Sequence, residues 1–468
     1  MGLFEKIMKT LNALTACILV GASLVTAQTS RMMMPTVSSP SIADGGTELG
    51  ANNTLTASGI ALNNRVKMRG FVDFRYDYTD LDTLATDDDA RFRSAADIDF
   101  LFDFSPVTGE VHIRASDTQS VELEQAFLRY NFNQDFSLTA GRQLTVLGFE
   151  KDESPNMYQT SYAYLTDVSA DVQGGSAALM SFIGLDSFNR AYKKVDSSDS
   201  NGYFDQVNPL ITGGGALAGD YANAATAIGG GDNPSFNSLP SFRRNYVDGV
   251  RLNFNNGQFG FVAGLHNGYF TDNDNLNDGN IGLDIAASVL IIPGLEFRLG
   301  FGYENNDAYN NSVSGYNTWA NKYNTELAKD LALSPAIALP YASVFPESDD
   351  ISQLNFLLSY QTGGLTLAFE WDMWDVYVID MWNIMLLANY QFNDVFGLTF
   401  RYSHEDFEAN VPGGGEGSSN RFTIGPMFSV TNNLTVGIEY SHAELDSTNI
   451  AGGDSSVDEL YAETIFSF

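Results

Sequence analysis

The sequence predicts an all-β protein: a transmembrane antiparallel β-barrel of about 18 strands, with 16 as the alternative count. Three observations predict this fold. Apolar and polar residues alternate with a period of two in segment after segment, from residue 69 to the end of the chain. Short turns rich in Asn and Gly alternate with longer polar loops. The last segment, 460–468, is an alternating strand that ends on an aromatic residue and can pair with the first strand.

The composition excludes several other classes of protein. The chain has 468 residues and a formal net charge of -34, but 44% of its residues are hydrophobic and only 18% are charged. It is therefore too apolar for a disordered acidic protein. The 22 Tyr and 33 Phe favour strands over helices. We expect no nucleic-acid partner for a chain of this charge.

The N-terminal residues, 1–27, are predicted to be a secretory signal peptide. Lys6 and Lys9 form a basic region, a mostly apolar stretch follows, and Ala27 ends a small-residue cleavage site. Cys17 is the only cysteine and lies in this segment, so we expect no disulfide in the exported protein.

Two further regions follow the signal peptide. Residues 28–66 are rich in Ser, Thr, Gly, Asn and Met without a sustained period, which predicts a flexible periplasmic leader. Residues 67–468 are predicted to form the barrel. Its strands alternate in the manner of the first, where Val72 and Phe74 oppose Asp73. Tight turns belong on the periplasmic side of such a barrel and long loops on the extracellular side.

The strand count depends on the chain around residue 180. Segments 149–170 and 191–245 both have the composition of outer loops, and a third long loop covers 305–350. Two outer loops in succession require a hairpin between them, so we expect one within 171–190. That hairpin gives about 18 strands, and its absence gives 16.

Arginine is the main base on the polar faces of the predicted strands, where rings of charge set the selectivity of a pore. Arg75, Arg114 and Arg129 are therefore candidate pore-lining residues. Arg142 is ambiguous. Strict alternation directs it to lipid at a cost of about 2–4 kcal/mol at the midplane, whereas a bulge at Gly141 would turn it inward.

No pattern of catalytic or cofactor-binding residues stands out. The four histidines are scattered and no His-Glu-x-x-His motif occurs, so we expect neither an enzyme nor a cofactor. The segment 272–279 has the oxygen density of a calcium loop, with Asp272, Asp274 and Asp278 as candidate ligands. It departs from the EF-hand pattern because the sixth position is Asn277 and the closing Glu is missing. A solvated loop is the alternative interpretation.

Two stretches resemble a known family. The first, 138–150, reads Leu-Thr-Ala-Gly-Arg-Gln-Leu-Thr-Val-Leu-Gly-Phe-Glu. The second, 425–440, reads Gly-Pro-Met-Phe-Ser-Val-Thr-Asn-Asn-Leu-Thr-Val-Gly-Ile-Glu-Tyr. Both are similar to bacterial outer-membrane β-barrel porins of the OmpL-like, porin-2 type. The resemblance implies passive diffusion of small solutes and a homotrimer.

The resemblance also implies that the third outer loop folds inward and narrows the channel. Counting strands from residue 69 makes 149–170 that loop, with Glu150, Asp152 and Glu153 near its start. We therefore predict a constriction in which these acidic residues face the arginines of the wall. The alternative is that the loop stands above the membrane.

The preferred hypothesis is a Gram-negative outer-membrane porin that lets small hydrophilic solutes diffuse through a water-filled channel. The expected partners are outer-membrane lipids, lipopolysaccharide, the solutes, and the barrel-assembly machinery, which would recognise Phe468. Three alternatives remain open: a substrate-specific channel, an outer-membrane enzyme, and a structural or adhesion barrel.

Overall fold

The computed structural model describes residues 60–63, 65–81, 89–117, 121–150, 154–164, 246–269, 281–305, 350–376, 379–409, 416–447 and 454–468. Within these residues the chain forms seventeen antiparallel β-strands and one short 3-10 helix, Ser154–Asn156. The strands are β1 (Ile60–Ala61), β2 (Val66–Leu81), β3 (Asp89–Phe104), β4 (Val107–Ser116), β5 (Glu122–Asn131), β6 (Phe136–Leu144), β7 (Tyr246–Asn255), β8 (Phe259–His266), β9 (Gly282–Ile292), β10 (Leu295–Glu304), β11 (Ile351–Thr362), β12 (Leu365–Val376), β13 (Ile379–Gln391), β14 (Phe396–Ala409), β15 (Glu416–Ser429), β16 (Leu434–Ser447) and β17 (Asp454–Ser467).

The strands β2 to β17 close a barrel of sixteen strands. Each pairs with its neighbours in sequence, and β17 pairs with β2 to complete the ring. The structure confirms the predicted β-barrel, and the number of strands in its wall is the alternative of 16. The larger count was wrong because β6 pairs directly with β7, opposing Phe136 to Phe254, which leaves no place in the wall for two more strands. The predicted hairpin at 171–190 lies outside the described residues. Segments 149–170 and 191–245 thus belong to one connection.

The two faces of the wall have opposite chemistry. Large apolar side chains are exposed around the outside, as expected for a surface that meets lipid. The inward positions carry mostly polar and charged side chains, many of them buried against each other or against the chain inside the barrel. The period of two in the sequence produces this division because successive side chains on a strand point to opposite faces. Outward examples are Phe74, Phe92, Leu128, Leu252, Leu299, Phe400, Phe422 and Ile438; inward examples are Asp73, Asp97, Arg129, Arg251, Asp284, Arg298, Glu370, Arg401 and Glu439.

The connections differ at the two ends of the barrel. At one end short turns join successive strands, and Gly294 in the turn between β9 and β10 has a φ of 84°. A side chain there would be strained, and its Cβ would lie 2.0 Å from the backbone oxygen of Gln361. At the other end most connections are longer, although only two residues separate β12 from β13, and the longest connection joins β6 to β7 across residues 145–245. No helix among the described residues is long and apolar enough to span a membrane.

The ends of the described chain meet beside β2. The amide of Phe468 donates to the oxygen of Gly70 at 2.9 Å, and the amide of Gly70 donates back at 3.0 Å. Just beyond that point β1 pairs with the same edge of β2, opposing Ile60 to Met68. The strand β1 thus continues the edge where β17 ends.

We predict that deletion of Phe468 impairs barrel assembly. The deletion removes the last two hydrogen bonds of the closing seam and the ring that packs near Phe466, at 6.3 Å between centroids. The measurement is the yield of heat-modifiable, membrane-inserted protein, with Phe468→Tyr as the control that keeps the aromatic ring. A deletion variant that inserts as well as the wild type would contradict the prediction.

Candidate constriction in the barrel lumen

The connection after β6 turns into the barrel. We call its described residues, 145–150 and 154–164, the inner loop. At its start, Arg251 of β7 donates from Nη2 to the oxygen of Leu144 at 2.8 Å. Farther on, Arg298 of β10 donates from Nη2 to the oxygen of Gly148 at 2.7 Å. Two guanidinium groups on the wall thus bind the backbone of the entering chain.

Arg401 of β14 joins the two ends of the inner loop. Its guanidinium forms a buried ion pair with Glu150. It also donates to the oxygen of Ser161 at 2.8 Å and to the oxygen of Tyr162 at 2.7 Å. The other carboxylate oxygen of Glu150 accepts the amide of Ala163 at 2.8 Å. Because both charged groups are desolvated and supplied with several hydrogen bonds, this cluster should hold the loop strongly.

Carboxylates of the wall bind the far side of the inner loop. Glu439 of β16 accepts the amides of Thr160 at 2.6 Å and Ser161 at 3.1 Å, together with the Ser161 hydroxyl. Glu463 of β17 accepts the Thr160 hydroxyl at 2.8 Å. The loop therefore reaches the strands beside the barrel seam.

A second set of contacts on the inner loop reaches β2 and β12. Ser154 donates its hydroxyl to Asp73 of β2 at 3.2 Å. The amide of Phe149 donates to Glu370 of β12 at 2.9 Å. The loop is thus bound to strands separated by much of the barrel circumference.

An apolar cluster supports these polar contacts. Ala163 and Tyr164 pack against the inward side chains Ala368, Met385 and Leu387 of β12 and β13, and Phe149 and Tyr158 lie at its edge. The rings of Phe149 and Tyr158 stack with centroids 5.9 Å apart and planes 7° apart. Apolar side chains on the inner face of this wall are explained by the loop that covers them.

The predicted arginines of the wall have separate partners. Arg75 forms an ion pair with Asp77 at 2.6 Å, and its guanidinium lies 5.9 Å from the ring centroid of Tyr461. Arg114 lies 3.4 Å from Glu124 and is about one-third exposed. Arg129 is buried and donates to Thr139 Oγ1 at 3.4 Å. Glu150 contacts Arg401, on a different part of the wall.

Arg142 lies on the outward face of β6, near the end from which the longest connection leaves. Gly141 has a φ of 128°, but the pairing with β5 and β7 continues through it without a register shift, so the side chain is not turned inward. Arg142 instead lies 3.4 Å from the exposed Asp248 and donates to the oxygen of Leu123 at 3.2 Å. Its position near the end of the strand reduces the cost of outward charge.

Asp152 and Glu153 lie outside the described residues, as do the proposed calcium ligands Asp272, Asp274 and Asp278. The predicted constriction did not include the wall residues that bind the inner loop, although the alternation in the sequence already places Arg401 on a polar strand face. Their inward positions follow from the alternation of β12, β14, β16 and β17, but no local pattern indicates which loop they contact. These residues are Glu370, Arg401, Glu439 and Glu463.

The geometry is that of a closed sixteen-stranded antiparallel β-barrel with a segment fixed across its lumen. No family model and no curated protein matches the sequence. Solved structures with a similar fold include the outer membrane channel DcaP of Acinetobacter baumannii, with 12% identity over 88% of this chain and 100% of that chain and a TM-score of 0.49. Others are OmpF of Salmonella typhi in complex with daunomycin, with 13% identity over 88% and 100% and a TM-score of 0.47, and OmpT of Vibrio cholerae, with 14% identity over 86% and 100% and a TM-score of 0.45. At such identities the likeness extends to the fold alone.

Proposed function

We propose that this protein is an outer-membrane porin through which small hydrophilic solutes diffuse passively, and that it is of the OmpL-like, porin-2 type. The observation that carries the proposal is the inner loop, which is bound to the lumenal wall by a buried ion pair and several hydrogen bonds. A segment fixed inside a polar lumen narrows the path of the solute by its own bulk. It requires no moving gate. The apolar outer surface fits a lipid environment.

The contacts that hold the inner loop favour a channel over an enzyme. Arg401, Glu150, Glu439 and Glu463 are engaged in holding the loop, and this role requires no reacting group. A substrate-specific channel is the alternative within the same class. It would use the same barrel and differ in the side chains at the narrowest point.

The first test is a liposome-swelling assay with purified protein and neutral sugars of increasing size. A diffusion porin admits the sugars at rates that fall steadily with size, because entry depends on the width of the narrowest point. A substrate-specific channel admits one class of solute much faster than others of equal size. No swelling with any sugar, from protein shown to be inserted, would reject both forms of the proposal.

We further propose that Arg75, Arg114 and Arg129 contribute positive charge to one side of the channel, and that Asp152 and Glu153 contribute negative charge to the loop side, where the charge of Glu150 is already paired with Arg401. Neutralising Arg114 and Arg129 together should shift the reversal potential of a planar bilayer toward cation preference, because fixed charge sets ion selectivity. The control is Arg142→Gln, which removes an arginine from the outer face. An unchanged reversal potential in the double variant would place the selective charges elsewhere.

The other partners follow from the proposed location. The outer belt would contact membrane lipids and, in the outer leaflet, lipopolysaccharide. Export would use the segment 1–27, and insertion would use the assembly machinery through Phe468. We also propose a homotrimer, which size determination in mild detergent can test directly.

A further inference from the structure

A layer of oxygen-bearing side chains crosses four strands on the lumenal face, above the apolar cluster. Asn355 of β11 opposes Asp372 of β12, Asp372 opposes Asn383 of β13, and Asn383 opposes Glu405 of β14. Residues that oppose each other on one face have Cβ atoms about 5 Å apart. All four side chains belong to residues that are at most 3% exposed. We call these four residues the carboxylate–amide layer.

The amides of this layer have unused hydrogen-bonding capacity. Asn383 lies between the two carboxylates, and neither its Oδ1 nor its Nδ2 has a hydrogen-bond partner in the protein. Asn355 donates from Nδ2 to Glu370 and to Asp372, each at 2.8 Å, while its Oδ1 has no partner. Buried amide groups normally find partners, because an unsatisfied one loses its hydration without compensation. A buried amide between two carboxylates therefore indicates a ligand that supplies the missing interaction.

We propose that the carboxylate–amide layer binds a divalent hard cation, with Ca²⁺ preferred over Mg²⁺. Asp372 and Glu405 supply carboxylate oxygens, Asn383 between them supplies an amide oxygen, and Asn355 holds Asp372 in place by the hydrogen bond from its Nδ2. Ca²⁺ takes six to eight oxygen ligands at about 2.3–2.6 Å in variable geometry, whereas Mg²⁺ requires a stricter octahedron and retains water. Ligands on three neighbouring strands match the less strict ion.

The surroundings of the layer provide a means of detection. The next inward position on β12 is Trp374, which lies two residues from Asp372 on the same face and is buried. Two residues along a strand span about 7 Å. At that separation an excited indole sensitises the emission of a bound Tb³⁺ ion, which replaces Ca²⁺ in oxygen sites. The site does not depend on whether the barrel conducts solutes.

The experiment titrates the full-length, membrane-inserted protein with Tb³⁺ under indole excitation and then displaces Tb³⁺ with Ca²⁺ or Mg²⁺. We expect saturable emission that Ca²⁺ displaces at a concentration at least tenfold lower than Mg²⁺. The double variant Asp372→Asn with Glu405→Gln should lose this emission. The matched control is Asp375→Asn, which removes one carboxylate from the same strand outside the layer and should leave the emission within twofold of the wild type.

Single substitutions of Asn383 provide a second comparison that perturbs the barrel less, in case the double variant does not fold. Asn383→Leu should weaken Tb³⁺ binding at least tenfold, because it removes an oxygen ligand without changing the charge. Asn383→Asp should bind at least as tightly as the wild type, because it replaces that ligand by a carboxylate. Heat-modifiable migration confirms that each variant is a folded barrel.

Two outcomes would overturn the proposal. The first is emission that persists within twofold in Asn383→Leu or in the folded double variant, which would assign the bound ions to the acidic loops of this chain, whose formal net charge is -34. The second is a wild-type protein that shows no sensitised emission, or only emission that Ca²⁺ does not abolish. Ordered water alone would then satisfy Asn383.

Discussion

Replacing Arg401 by Met should destabilise the barrel and widen the channel. The substitution leaves Glu150 as a buried carboxylate without its guanidinium partner, and the loss of one member of such a pair typically costs about 3–5 kcal/mol. It also removes the donors to Ser161 and Tyr162, so the hydroxyl groups of Thr399 and Ser403 are left as the hydrogen-bond donors from β14 to the inner loop. We expect unfolding at lower urea concentration in lipid vesicles, and a larger single-channel conductance of the folded fraction.

Two variants test whether the effect comes from the ion pair. The double variant Glu150→Gln with Arg401→Met should recover part of the lost stability, because it no longer buries an unpaired charge. Arg142→Gln breaks a partly exposed pair on the outer face and should change the free energy of unfolding by only about 0–1 kcal/mol. If Arg401→Met unfolds and conducts like the wild type, the inner loop is not held by this cluster.

Replacing Leu299 by Arg should also have a large effect. Leu299 lies near the middle of β10, points outward and is 47% exposed. An arginine on the lipid face near the bilayer midplane costs about 2–4 kcal/mol. The expected result is reduced insertion and a lower free energy of unfolding, measured by urea titration of the protein in lipid vesicles.

The control at the same position is Leu299→Phe, which changes the size of the side chain without its polarity. It should insert normally, since Phe297 and Phe301 already occupy neighbouring outward positions on this strand. Equal behaviour of the Arg and Phe variants would show that this face of β10 does not contact lipid.

The barrel was predictable from the sequence because its determinants are local. The alternation that places Val72 and Phe74 outward and Asp73 inward follows from the geometry of a single strand. The tight turn at Gly294 likewise depends on a few adjacent residues. The number of strands was harder to predict, because the length of the connection between β6 and β7 does not determine whether it contains further strands. Lengthening a loop adds little to the free energy of closing it.

The constriction was only partly predictable. The entry of the third connection into the lumen came from a resemblance, and its partners could not be read from local patterns. Glu150 and Arg401 are separated by 251 positions in the chain. An inward position can be assigned to Arg401 from the alternation of β14, but the contact depends on where the inner loop crosses the lumen. The same reason explains why Glu439 and Glu463 were not predicted.

The most direct test of the account is the current through a planar bilayer after addition of purified wild-type protein. A barrel whose inner loop narrows the lumen without sealing it should produce discrete, stable conductance steps with a linear current–voltage relation at low voltage. Arg401→Met should give larger steps under the same conditions. Protein that inserts and migrates as a folded barrel but produces no steps would contradict the proposal that this barrel is a channel.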